Sequence, residues 1–306
     1  MSLSDLTLDQ ILSEPLFAVQ ALGESLVRNI GAEWWLWAQI ALALTLGLAA
    51  DLWRRRDLRK RYLSRSFRVD VTYALVDLFH LWHFTVLIPA GLFVHATLQA
   101  YVPWITVDAL AALPGWVQLA ILFVVTDFCV YWYHRTQHSN IVLWQFHKTH
   151  HSQQELTALT AFRMPIIDRL VTLAALAVPA AVLGVSYAQP LAVLVILYFH
   201  QLLVHSATGW GFGRLGWLIV SPLFHEIHHS SRPEHVNRNY GGVLAIWDRL
   251  FGTYAPQGKA PIRWGLVDER VPERFFGQIF VPVAGLYRLA MAAPGSAAEP
   301  VKGPRR

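Results

Sequence analysis

The chain has 306 residues, 55% of them hydrophobic and only 15% charged, with 13 Trp and a net charge of +5. That balance excludes an ordinary water-soluble domain and a disordered chain, and the Trp content fits a membrane interface. The Lys and Arg flank apolar runs instead of forming one patch, so nucleic acid is excluded as a partner, and a single cysteine, Cys129, leaves no intramolecular disulfide framework.

Residues 1–33 mix apolar and acidic positions and read as a peripheral helical lead-in without the basic start and apolar run of a signal peptide. Residues 34–50 carry no charge, which is about the length a bilayer core requires. Arg54, Arg55, Arg56, Arg59, Lys60, Arg61, Arg65 and Arg68 follow, and the positive-inside rule makes this block cytoplasmic. From Leu78 to Val107 there is again no Asp, Glu, Lys or Arg, which predicts a second span, running outward. Pro114 suits a helix start; residues 115–133 then run inward and deliver His134 to the basic side. A helical hairpin is predicted over 166–183 and 190–205, broken between Gly184 and Pro190. Residues 209–216 form a Gly-rich loop, 217–229 a short helix, 230–256 a segment capping the site, and 273–291 an interfacial amphipathic helix. The tail from Pro294 is small and polar, and reads as disordered. The expected fold class is an all-α, multi-pass integral membrane protein of about four to five spans with a cytoplasmic helical cap. Its segments are 1–68 (lead-in, first span and basic block), 69–256 (catalytic domain) and 257–306 (interfacial helix and tail).

The chain has 14 His, and 11 lie between 134 and 235. Residues three and four apart share a helix face. His134 with His138, His147 with His150 and His151, and His225 with His228 and His229 therefore form three convergent sets. Eight imidazoles exceed the needs of one tetrahedral zinc and suit a pair of metals. Asp127, two turns before His134, either holds a ligand imidazole or is a helix-interior acid without a link to the metal. Asp248 either orients a ligand or pairs with Arg249. Glu226 and His229 give one Glu-x-x-His pair where carboxylate-bridged bundles need two. His225-Glu226-Ile227-His228-His229 also spells a zinc-protease motif, which leaves the other clusters unexplained. A metal transporter would place its His and acids at mid-span; His80, His83 and His95 are its support. Redox chemistry at a His-rich metal pair accounts for the clusters best.

These clusters, with Tyr131-Trp132-Tyr133 before the first, Thr160 to Arg163, Asn239-Tyr240-Gly241-Gly242 and Trp247-Asp248-Arg249-Leu250-Phe251-Gly252-Thr253, resemble the fatty acid hydroxylase/sterol desaturase superfamily over about residues 70–255. The spacing is most similar to the branch that includes alkylglycerol monooxygenase. The resemblance implies two iron ions held by His134, His138, His147, His150, His151, His225, His228 and His229, with His205 completing the set and zinc able to substitute in purified protein. It also implies O2, an external electron donor (a reductase chain or a pterin) and hydroxylation or desaturation of a membrane lipid: a sterol or hopanoid, an ether lipid or a fatty acyl chain. Arg163, Gln201, Asn239, Tyr240 and Trp247, with Asp127 and Asp248, are the residues it suggests around the metals or the substrate channel. Gln201 stands where some relatives have His, Gln154 where many have Glu, and His200 and His235 fall outside the pattern, His235 reading as a surface or channel residue.

Overall fold

The computed structural model describes residues 34–291 apart from 55, 79–111, 184–187, 257, 259–261 and 268. The expected lead-in, the second span with His80, His83 and His95, the break after Gly184 and the tail lie outside those residues in whole or in large part. The described residues are helical, with two isolated bridges, Ile219 to Leu244 and Ser230 to Trp264.

Helix α1 (Trp34–Trp53) covers the first apolar run. Two short turns of chain lead to α2 (Leu58–Tyr62), where the Asp57 carboxylate accepts from the Lys60 N–H, and to α3 (Arg65–Leu78). On α3 the buried positions are Ser66, Val69, Asp70, Tyr73, Ala74 and Asp77, a stripe at helical spacing that is half polar. Helix α4 (Gly115–Ser139) has 25 residues. At 1.5 Å per residue it spans about 37 Å, more than a hydrocarbon core of about 30 Å. Among the described residues it alone is both long and apolar enough to cross a membrane; Ala38–Trp53, Val195–His205 and Val281–Met291 are shorter apolar stretches.

Asn140 is the hinge between α4 and α5 (Ile141–His151): its extended backbone ends one helix, and its Oδ1 accepts from the Val142 and Leu143 N–H groups to start the next. A 3-10 turn, Ala158–Phe162, precedes α6 (Ile166–Val182) and α7 (Ala188–His205). These two match the expected hairpin arms. The expected helix over 217–229 is shorter: a 3-10 turn, Gly213–Trp217, comes first, and Ser221 then caps α8 (Pro222–His228) with Pro222 in its first turn. After α9 (Ile246–Leu250), the predicted single helix 273–291 is two, α10 (Phe275–Ile279) and α11 (Val281–Met291). Pro282, in the first turn of α11, has no N–H to continue α10. Buried Gly285 lets α11 lie close to α5, since a Cβ there would sit 2.2 Å from Gln145 Oε1.

One apolar core joins α1, α3, the 158–162 turn and α7 through Ile40, Tyr73, Phe162 and Leu202. A second joins α4 and α7 to Val243 through Leu122 and Leu197. Beside the first core runs a buried ionic network. Arg61 and Arg56 contact Asp51 at 2.8 and 3.0 Å, Tyr62 donates to the same carboxylate, and Arg163 meets Asp70 at 2.5 Å. Part of the basic block expected to face the cytoplasm is therefore internal, neutralised by Asp51 and Glu155.

Candidate metal centre

Four helices deliver nine imidazoles to one place. His134 and His138 lie one turn apart on α4, and the Asn140 hinge folds His147, His150 and His151 of α5 back against them. His205 ends α7. Helix α8 carries His225 and His228, and His229 is its C-cap. The ligand nitrogens fall into two groups, His134, His138, His147, His151 and His228 in one and His150, His205, His225 and His229 in the other. Within each group they lie within 4.8 Å of one another. The structure thus brings together all eight cluster His and His205, and it divides them across the sequence motifs: His150 leaves its own triple to join the second group.

The outer nitrogens explain why the rings aim inward. His134 Nδ1–H donates to the Tyr240 carbonyl at 2.9 Å, His228 Nδ1–H to the Arg238 carbonyl at 2.9 Å, His205 Nδ1–H to the Gln201 carbonyl at 2.7 Å and His150 Nδ1–H to the Arg163 carbonyl at 3.2 Å. A carbonyl only accepts, so each Nδ1 carries the proton and each neutral ring presents a bare lone pair at Nε2. The Nε2 atoms of His205 and His150 nevertheless stand 3.1 Å apart. Two lone pairs at that distance repel, and neither atom can donate to the other. A cation shared by both removes the conflict, so the arrangement fits metal ions. The Nε2 atoms of His134 and His138 are buried with no hydrogen-bond partner, as metal-directed atoms would be.

Burial is the main reason the imidazoles outside the apolar helices stay neutral. It pushes His150, His151, His225 and His229 well below the ordinary value, and neighbouring imidazoles add to the shift. Burial also takes His228 down to about 3, against its hydrogen bond to Arg238. Neutral imidazoles are the ligand form of His, and an all-nitrogen set suits iron, copper, zinc or nickel. The protease reading fails on geometry. Glu226 is turned away, its Oε1 accepting from the Gly209 N–H at 2.6 Å, so it cannot serve as base at His225 and His229.

The neighbouring candidates play other parts than side-chain orienters of ligands. Asp127 does not touch an imidazole: its carboxylate accepts the N–H groups of Val243 and Leu244 and the Trp247 indole N–H, at 2.8 to 3.0 Å. It is a clamp on the 238–255 segment. Asp248 does not pair with Arg249 either; it accepts from the Tyr240 and Gly241 N–H groups and the Thr253 hydroxyl. Gly241 and Gly242 make this crossing possible, because Cβ atoms there would lie 2.7 Å from the Leu244 carbonyl oxygen and 3.0 Å from Asp127 Oδ1. Asn239, at φ +60°, ties the segment to Phe224 and Ala255. Arg163 and Gln201 reach the site through their carbonyls, while their side chains turn to Asp70 and to the Gly242 carbonyl. The Tyr240 ring packs 5.2 Å from that of His138. His235 is not a surface residue: it is buried, its Nδ1 2.9 Å from Ser230 Oγ. His200 is also buried and belongs to neither ligand group.

One residue escaped the sequence reading. Asp168, fully buried at the start of α6, lies 3.3 Å from His147 Nδ1 and accepts from Tyr133 Oη and Gln137 Nε2. Its only signal was a lone acid opening an otherwise apolar helix.

The family model for fatty acid hydroxylase matches residues 119–253, a stretch that contains all nine imidazoles, Asp127 and Asp168. The chain is 32% identical over 151 residues to alkylglycerol monooxygenase of Xenopus tropicalis, covering 48% of this chain and 32% of that protein. It is 34% identical over 137 residues to an ornithine lipid hydroxylase of Rhizobium tropici, covering 45% and 41%. A Delta(7)-sterol 5(6)-desaturase of Leptosphaeria maculans is 26% identical over 139 residues, covering 45% and 37%. The matched stretch thus spans well under half the length of each of these relatives. No solved structure matches.

Proposed function

We propose, from the match of residues 119–253 to the fatty acid hydroxylase family model, that the chain is a membrane-bound oxygenase of that kind that hydroxylates a C–H bond of a lipid. The observation that carries this reading is the pair of bare Nε2 lone pairs, His205 and His150, that face each other within one of two neighbouring imidazole groups. Two iron ions held there, one by His134, His138, His147, His151 and His228 and one by His150, His205, His225 and His229, would supply oxidising chemistry that draws on O2 and an external electron donor. Zinc has no redox chemistry of its own, so iron is the working metal of this proposal.

The chain's own part is positional. The carbonyls of Arg163, Gln201, Arg238 and Tyr240 hold four rings in the tautomer that leaves Nε2 bare. The Asp127 and Asp248 clamps close residues 238–255 over the first group, and the Tyr240 ring covers it against water. Hydroxylation is preferred to desaturation because the two hydroxylating relatives are 32% and 34% identical, against 26% for the desaturase. The lipid, in this reading, reaches the site from the bilayer that α4 crosses, with the imidazoles on its cytoplasmic side.

The test is iron content and Mössbauer spectroscopy of the anaerobically purified chain beside His150→Ala, followed by lipid profiling of cells with and without it. About two coupled irons per chain, lost in the variant, and a lipid gaining one oxygen support the reading. Zinc retained without iron after reconstitution, with an unchanged lipid profile, overturns it.

A further inference from the structure

A cavity of 660 Å³ opens beside α8 and is lined by residues of three segments: the Gly211–Trp217 loop, Leu223, Phe224 and Ile227 of α8, and Arg249 with Tyr254. Its size is that of a small-ligand site. It is separate from the metal centre, because none of the nine imidazoles lines it.

Its cations make no ion-pair contact. Arg214 and Arg249 both line it, and among the described residues neither has a carboxylate within 4.0 Å. Asp248, next to Arg249 in sequence, spends its oxygens on Tyr240, Gly241 and Thr253. The Arg249 guanidinium is held in place. Its centre lies 4.2 Å from the Tyr254 ring centroid and 5.6 Å from that of Trp217, and it donates to the Ala245 and Gly216 carbonyls at 2.9 and 3.1 Å. A guanidinium has five N–H groups, so the remainder are left for a ligand. A fixed guanidinium without an ion-pair partner, beside a second cation, selects a phosphate or carboxylate.

The rim is apolar where an aqueous anion site would be polar. The lining Trp217 is 59% exposed and Tyr254 42%, and Leu215, Leu218 and Leu250, sequence neighbours of lining residues, are exposed as well. The rim also continues into α4, since the Phe251 ring packs 5.0 Å from Trp132. Trp132 lies in the last two turns of the one described helix of membrane length, so the rim sits where an aromatic belt would.

We propose that this cavity is a binding site for the anionic headgroup of a bilayer lipid, with Arg249 and Arg214 on the headgroup and Trp217, Leu215 and Leu250 in the lipid interface. The site does not depend on the oxygenase reading. A lipid held there braces α8 from behind, and so steadies the third imidazole cluster without entering the centre.

The experiment is calorimetric titration of the full chain in a neutral maltoside detergent. The probes are dihexanoyl phosphatidylglycerol, dihexanoyl phosphatidylcholine and inorganic phosphate. The anionic lipid is expected to bind about tenfold more tightly than the zwitterionic one, as charge-assisted contacts imply. Arg249→Gln should abolish that preference. Arg214→Gln, on an exposed loop, should reduce it severalfold with an unchanged circular dichroism spectrum, so it decides the matter if Arg249→Gln does not fold. Equal binding of the two lipids, or a preference that survives Arg214→Gln, overturns the proposal. Inorganic phosphate binding as tightly as phosphatidylglycerol makes the cavity a free-anion site and overturns the lipid assignment.

Discussion

Asp168 is the carboxylate that a histidine-rich centre needs and that sequence spacing hid. A carboxylate behind a ligating imidazole fixes its tautomer and raises its basicity, and losing such a partner costs about 10–100-fold in metal affinity. Asp168→Asn keeps an oxygen for Tyr133 and Gln137 but turns an amide NH2, a donor, toward His147 Nδ1 in place of the carboxylate acceptor. Competition with a chelator should show metal held about tenfold or more loosely, with a melting temperature of the metal-free protein close to that of the parent. Unchanged affinity would make Asp168 a packing residue. A second prediction concerns Arg163, buried against Asp70. Arg163→Met strands that carboxylate in the interior, which costs about 3–5 kcal/mol and should appear as a large drop in the detergent melting temperature. The two residues show what could be read from the sequence. Imidazole clusters are local, and helical periodicity puts each on one face. The Nδ1 partners of His134, His150, His205 and His228 are backbone carbonyls up to 106 residues away, and a carbonyl has no residue-type signature.

At the scale of elements, the Asp127 clamp joins the membrane-length helix to the segment over the site. Three donors, from Val243, Leu244 and Trp247, converge on one carboxylate. Asp127→Ala leaves the buried Val243 N–H without an acceptor, at about 1–3 kcal/mol, with smaller costs at the part-buried Leu244 and Trp247 donors, and the coupling through one segment makes the sum smaller than additive. Hydrogen exchange of residues 238–255 should accelerate selectively in this variant while α6 and α7 stay protected. Uniform acceleration would mean that the clamp serves global stability alone. The acid at 127 was visible as a polar residue inside an apolar helix, and the alternative without a metal link is the one the structure supports. Its partners were not visible, because the segment that reaches it lies more than a hundred residues on. Helices α1, α4, α6 and α7 were legible from uninterrupted apolar runs. The split between α10 and α11, and the shortness of α8, depend on a Pro at a helix start and on a Ser cap, signals of one residue each.

For the whole molecule, the buried imidazoles of the centre make stability a function of both metal and pH. In the metal-free protein His228 titrates near 3 when folded and near 6.5 when unfolded, and His150, His151, His225 and His229 are shifted in the same direction. Between those values the unfolded chain binds more protons, so stability falls as pH drops below about 6.5, by about 1.4 kcal/mol per unit for each fully shifted imidazole. Above about pH 7 both states are neutral at these residues, and they contribute no slope. Metal binding adds an offset set by the affinity of the folded state. Protons do not compete there until the folded imidazoles themselves titrate, so the offset should hold nearly constant from pH 7 to pH 5. Melting curves of chelator-treated and metal-loaded protein, taken in detergent across that range, should descend in parallel. A flat curve for the stripped protein would mean that its imidazoles are solvated without metal. Curves that converge by pH 5.5 would mean that protons reach the folded centre, and that burial does less than geometry suggests to keep its rings neutral.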